Sequence, residues 1–266
     1  TSTMLIHFLL LILWVPLGGL NQLDLIVQYF KLSQIQSGLV FFLLYTVISI
    51  FISLPETIYS TFVIEEKFGF NKTTPKLFII DFIKQLILST LIGGILIYTL
   101  LYLMNFLGEN WWLFGWGFIV LFQFLIILAY PKFIAPIFNK FSPLDDEDLK
   151  KKIEELSNNI NLNFKDYYVM NASLRSSHGN AYFTGFGKNK RIVFFDTLLK
   201  TLTNNEVMAV LAHELGHLKK KHILKSLFMG ILFMGGGFYV LDYLLKSKEF
   251  FMAFGKATPS SHMALI

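Results

Sequence analysis

Two stretches of this chain, Leu86–Leu107 and Trp111–Pro131, run for 22 and 21 residues without a charged side chain. A helix rises 1.5 Å per residue, so about 20 apolar residues cross a hydrocarbon core, and there the backbone must satisfy its own hydrogen bonds. Both stretches therefore read as transmembrane helices. Three shorter uncharged runs join them: Met4–Leu20, Leu39–Pro55 and Ser226–Leu241, the last extended to a span by its flanks. Trp111, Trp112 and Trp116 cluster at the start of one run, where interfacial aromatics belong. A last apolar run, Ala257–Ile266, reads as the opening of a sixth span, so the polypeptide is expected to continue. Composition agrees, with 15% charged residues and 29 Phe, against about 25% charged in soluble domains. Thr1–Leu20 has no Lys or Arg and reads as a membrane segment rather than a secretory signal. The absence of cysteine excludes disulfides and thiolate metal sites.

The charge that remains is concentrated in one place. Between Lys132 and Lys225 lie 15 basic and 10 acidic residues, which accounts for the whole net charge of +5. Acids are interleaved with the bases, so nucleic acid is not an expected partner. The excess fits the positive-inside rule and puts this polar block on the cytoplasmic side. Within the block, Ser142-Pro143-Leu144-Asp145 has the residues of a helix start, and Leu149, Ile153, Leu156 and Ile160 form one apolar stripe. Tyr167–Met170, Ala181–Phe186 and Arg191–Phe195 read as strands, the last two joined by a hairpin turn at Gly187-Lys188-Asn189-Lys190. Thr203-Asn204-Asn205-Glu206 is a capping box that opens a helix running through His217.

That helix carries His213-Glu214-Leu215-Gly216-His217. Histidines at i and i+4 lie one turn apart on a single face and can share one zinc ion. Glu214, between them, can reach a water activated by the ion without ligating it. With 6 His and 10 Glu in 266 residues, chance supplies roughly 0.005 matches to this pattern, so two unrelated helix histidines are a poor explanation. His222 lies five residues past His217, about 140° round a continuing helix, and reads as structural. Lys219-Lys220-Lys221 reads as a snorkelling interfacial anchor, and Glu56, Glu65 and Glu66 as acids at the interface.

Five segments taken together, Gly69–Pro75, Pro131–Leu144, Arg175–Phe183, Lys190–Leu198 and His213–His217, resemble the type I CAAX prenyl endopeptidases. These are integral-membrane zinc proteases that trim prenylated proteins, with relatives in bacteria. The resemblance implies a mainly α, polytopic transmembrane helical barrel with a small α+β cytoplasmic insert bearing the zinc helix. It also implies one Zn2+ ion held by His213 and His217, catalysis by Glu214, and a substrate-binding edge at Asn180, Ala181 and Tyr182. The family completes its zinc site with a downstream glutamate in a Glu-x-x-x-Ala-Asp motif. No such motif is present, and Glu249 lies in the wrong context, so the third ligand is expected beyond Ile266.

The expected organisation is four spans in 1–131, a polar catalytic insert in 132–222, and a fifth span with the start of a sixth in 223–266. The partners are the lipid bilayer and a peptide or protein substrate, prenylated or membrane-associated. The membrane is the endoplasmic reticulum in a eukaryote or the inner membrane in a bacterium. A membrane quality-control zinc protease shares the zinc motif but not Gly69–Pro75 or Arg175–Phe183. A non-catalytic scaffold or transporter is disfavoured by the lack of internal symmetry.

Overall fold

A computed structural model of the chain describes residues 2–159, 162, 164–185, 190–253 and 265. Helices α1 (Ser2–Trp14) and α2 (Gly19–Tyr29) are followed by α3 (Gln34–Tyr59), α4 (Pro75–Phe106), α5 (Trp111–Ala129) and the short α6 (Ala135–Phe138). Four described stretches are long and apolar enough to cross a membrane: Gln34–Glu65, Pro75–Phe106, Gly108–Phe138 and His222–Leu245. Met4–Leu20 is not one straight span. It breaks after Trp14, Gly18 takes φ 73°, and the helices on either side meet at a 51° bend. Glycine adopts that left-handed conformation at no steric cost, which is why the chain turns there. The other spans outrun their uncharged cores because charged residues at the ends sit in the same helix, as Lys76, Asp81 and Lys84 do in α4. Two of the internal prolines lie in or near widened helical turns. Pro55 lies five residues before a π-helical stretch at Ser60–Glu65, and Pro131 lies inside another at Tyr130–Ile134.

The chain divides into two compact units, each drawn from separated stretches. The first comprises 1–60, 83–121 and 231–266, and in it α1, α2 and α3 pack around Trp14, Leu20, Leu23, Val27 and Phe41. In it, the Trp111 indole donates a 2.8 Å hydrogen bond to the buried carboxylate of Asp242, which Lys246 also pairs at 2.8 Å. An intramembrane acid is tolerated when it is paired in this way. The Trp116 indole donates to the Ile231 carbonyl at 3.0 Å, and a Cβ on Gly235 would stand 3.1 Å from that ring. Small residues allow this close approach.

The second unit, 61–82 and 122–230, contains the polar block. A four-stranded sheet has the order β1 (Phe141–Pro143), β2 (Asp166–Met170), β4 (Arg191–Phe195), β3 (Ala181–Thr184), with β2 and β4 parallel and the outer pairs antiparallel. Its helices are α7 (Glu147–Asn159), α8 (Asp196–Thr201) and α9 (Asn204–Lys219), with α10 (His222–Leu245) and α11 (Lys248–Ala253) after it. Ile192 and Phe194 alternate onto one face and are fully buried with Leu149 and Ile153 of α7 and Val207, Leu211 and Leu215 of α9. Each such side chain contributes about 1.5–3 kcal/mol. Leu156 packs on this core as the stripe requires, whereas Ile160 and the hairpin turn at 187–189 lie outside the described residues, as does most of 257–266.

The expected helix start at Ser142-Pro143 is displaced. Phe141–Pro143 pairs with β2 as an edge strand, the Leu144 N–H donates to the Tyr167 carbonyl, and the helix begins at Glu147. Asp146 is its cap, accepting the Leu149 N–H at 2.9 Å. Proline suits an edge strand as well as a first helical turn, and tertiary pairing decided between the two.

Candidate zinc site

The zinc-motif helix α9 opens on the expected capping box. The Thr203 N–H and hydroxyl both donate to the Glu206 carboxylate at 2.8 Å, and the hydrogen bond from the N–H leads in holding that acid below its usual range. Val207, Leu211 and Leu215 recur every four residues on the face packed against the sheet, each 0–1% exposed. Residues two positions on from Leu211 and Leu215 lie about 200° round the helix. His213 and His217 therefore face away from the core and are exposed, with Glu214 between them half-buried.

The two imidazoles converge. Their Nε2 atoms stand 3.2 Å apart, with ring centroids at 4.8 Å and planes inclined by 73°. A tetrahedral zinc with Zn–N bonds of about 2.0–2.1 Å separates two ligand nitrogens by about 3.3 Å, so the pair fits that ion. Among the described residues no third His, Asp or Glu joins them in a metal-holding group. Glu249 is engaged elsewhere, accepting the Ser247 hydroxyl at 2.8 Å.

Asn180 lies just before β3, exposed, with its side-chain oxygen accepting the Ala181 N–H at 2.8 Å and its carbonyl accepting the Phe195 N–H at 2.9 Å. β3 is one edge of the sheet, opposite β1. The Ala181 side chain is buried in the core it shares with Leu211 and Leu215. Only its backbone is available to a ligand. Tyr182 points to the opposite face, into a cavity of about 280 Å³ lined by Pro131, Lys132, Tyr168 and Arg191. Burial first, and then Tyr130, push its hydroxyl up to about 12. Strand alternation sends the two side chains to opposite faces.

Gly69–Pro75 and Arg175–His178 are far apart in sequence and dock directly. Asn71 bridges Ser176, the Ser177 N–H donates to the Phe70 carbonyl, and the Lys72 N–H donates to the Arg175 carbonyl. Arg175 grips Asp81 with two hydrogen bonds of 2.7 and 3.0 Å and reaches Asn139 at 3.2 Å. His178 stacks on Phe70 at 4.2 Å and contacts Glu65 at 3.2 Å, which makes it part of this junction. Asp81 belongs to no motif read from the sequence, and Asn139 lies in Pro131–Leu144 without an assigned partner, since 94 and 36 residues separate them from Arg175.

His222 does not continue the zinc-motif helix. Helix α9 ends at Lys219, Lys221 takes φ 56°, and α10 starts at His222. The break brings Nδ1 of His222 to 2.8 Å from Nδ1 of His217, which a continuous helix would have kept apart.

Residues 1–140 match the family described as CAAX prenyl protease N-terminal, five membrane helices, and residues 143–266 match peptidase family M48. The chain is 40% identical over 232 residues to CAAX prenyl protease 1 of Saccharomyces cerevisiae, covering 86% of this chain and 51% of that protein. It is 36% identical over 259 residues to the human CAAX prenyl protease 1 homolog, covering 84% and 54%. The crystal structure of S. mikatae Ste24p matches with a TM-score of 0.79 at 40% identity, over 84% of this chain and 52% of that one. The chain thus spans about half the length of the relatives it matches. On its spans, its insert and these matches, the chain is a multi-pass membrane protein and belongs to the CAAX prenyl protease family of M48 peptidases.

Proposed function

We propose that this chain carries the zinc helix of an integral-membrane metalloendopeptidase. The observation that supports it most is the pair of Nε2 atoms 3.2 Å apart on the core-averted face of α9, with a carboxylate between them. His213 and His217 hold the ion, which when bound supplies a Lewis acid to polarise the scissile carbonyl and acidify water. Glu214 is the general base: one carboxylate oxygen takes a proton from the attacking water and passes it to the departing amine nitrogen. The substrate is a peptide lying along β3, whose outer edge suits strand addition, with Asn180 at the entry. The relatives are named CAAX prenyl proteases, and a prenylated CAAX-type peptide is the substrate class we assign. The basic excess of the polar block supports a cytoplasmic site.

The decisive variant is Glu214→Gln, which removes the base and leaves both imidazoles. Peptide cleavage by the whole protein in detergent should fall 10²–10⁴-fold, the usual loss on removing a general base, while zinc content measured by metal analysis stays at the wild-type level. Near-normal turnover in a zinc-loaded Glu214→Gln protein would refute the assignment.

A further inference from the structure

We propose that His222 is a positioning residue that fixes the tautomer and ring orientation of His217. The inference rests on the reading of His213 and His217 as zinc ligands. Three imidazoles form a chain: Nε2 of His213 lies 3.2 Å from Nε2 of His217, and Nδ1 of His217 lies 2.8 Å from Nδ1 of His222. The His217 and His222 rings are 5.0 Å apart at 68°, so the nitrogens meet edge to edge rather than stacking.

A neutral imidazole has one N–H and one lone pair. Nε2 of His217 must be bare to ligate, so its proton resides on Nδ1 and donates to the lone pair of His222 Nδ1. His222 then carries its own proton on Nε2. Metal-bound histidines commonly donate their second N–H to a carboxylate or carbonyl, and that partner sets the ring's orientation and raises its basicity. Here the acceptor is an imidazole delivered by the next helix. The delivery requires the helix break at Lys219–Lys221. The Lys220 N–H closes α9 on the Gly216 carbonyl, the Lys221 N–H donates to the Leu218 carbonyl, and Lys221 adopts φ 56°. A residue with a Cβ is strained there, and the strain places His222 where no straight helix could.

The test measures zinc affinity by chelator competition in the whole protein, with melting temperature recorded in parallel. The variants are His222→Phe, His222→Asn and His217→Ala. Phenylalanine keeps a ring and loses the acceptor. The Asn side-chain oxygen occupies nearly the position of Nδ1 and restores it. We expect His222→Phe to weaken zinc binding 10–100-fold, the usual range for such a partner, and His222→Asn to stay within a few-fold of wild type. Should the Phe variant not fold, His222→Ala takes its place. Unchanged affinity in the Phe variant, or equal losses in Phe and Asn, overturns the positioning role. If His217→Ala retains wild-type affinity, the zinc reading itself fails. If His217→Ala loses zinc while His222→Phe keeps it, only the present inference fails.

Discussion

Leu211 and Leu215 are committed to the core between α9 and the sheet, and that commitment sends His213 and His217 outward, two positions along a 3.6-residue turn. Nothing else is needed to make a two-imidazole face, so this part of the site was legible from spacing alone. Acceptors are another matter. Nothing within the sequence says that His222 meets His217, because the contact depends on one residue, Lys221, leaving helical geometry. Glu249 shows the converse, a carboxylate that spacing left open. Its carboxyl is held below the usual range by its own backbone N–H and then by the Ser247 hydroxyl, as befits an acid in the first turn of a helix. We therefore expect Glu249→Ala to leave zinc affinity at the wild-type value by chelator competition. A loss of 10-fold or more would mean that Glu249 reaches the ion.

Among the elements, β3 is the one whose role depends on where it lies. Its sequence marks a strand, and only the order β1-β2-β4-β3 makes it an edge. The alternation that buries Ala181 and turns Tyr182 to the opposite face leaves backbone groups as the contact surface for a peptide. Asn180 already caps the first N–H of that edge. A tight, uncleaved peptide analogue should therefore slow hydrogen exchange along Ala181–Thr184 by at least tenfold, and Asn180→Ala should raise KM or lower kcat without lowering the melting temperature. Exchange that is unaltered at saturating analogue would rule out strand addition at β3.

Across the whole molecule, each compact unit is built from stretches that are remote in sequence, and a few polar contacts close the polar one. Arg175 with Asp81 is the clearest, since its planar fork makes two hydrogen bonds and a third reaches Asn139. Both partners of the ion pair are about three-quarters or more shielded, with 24% and 20% of their side-chain surface exposed. Lysine keeps the charge and cannot reproduce the fork. Arg175→Lys should thus lower stability by about 1–2 kcal/mol in thermal unfolding, within the range for hydrogen bonds to charged groups, and the loss should largely vanish in an Asp81→Ala background. An undiminished loss there would locate the effect elsewhere. The sequence by itself determined four membrane-length helices, the capping box of α9 and its exposed pair of imidazoles. Each of these follows from a local period or from the 30 Å demand of a bilayer. Only the tertiary structure decided the break at Gly18, the strand at Phe141–Pro143, the edge position of β3, the Arg175–Asp81 junction and the contact of His222 with His217. Pairing partners, left-handed turns and long-range hydrogen bonds are settled by what the folded chain brings within a few ångströms, and no local pattern encodes that.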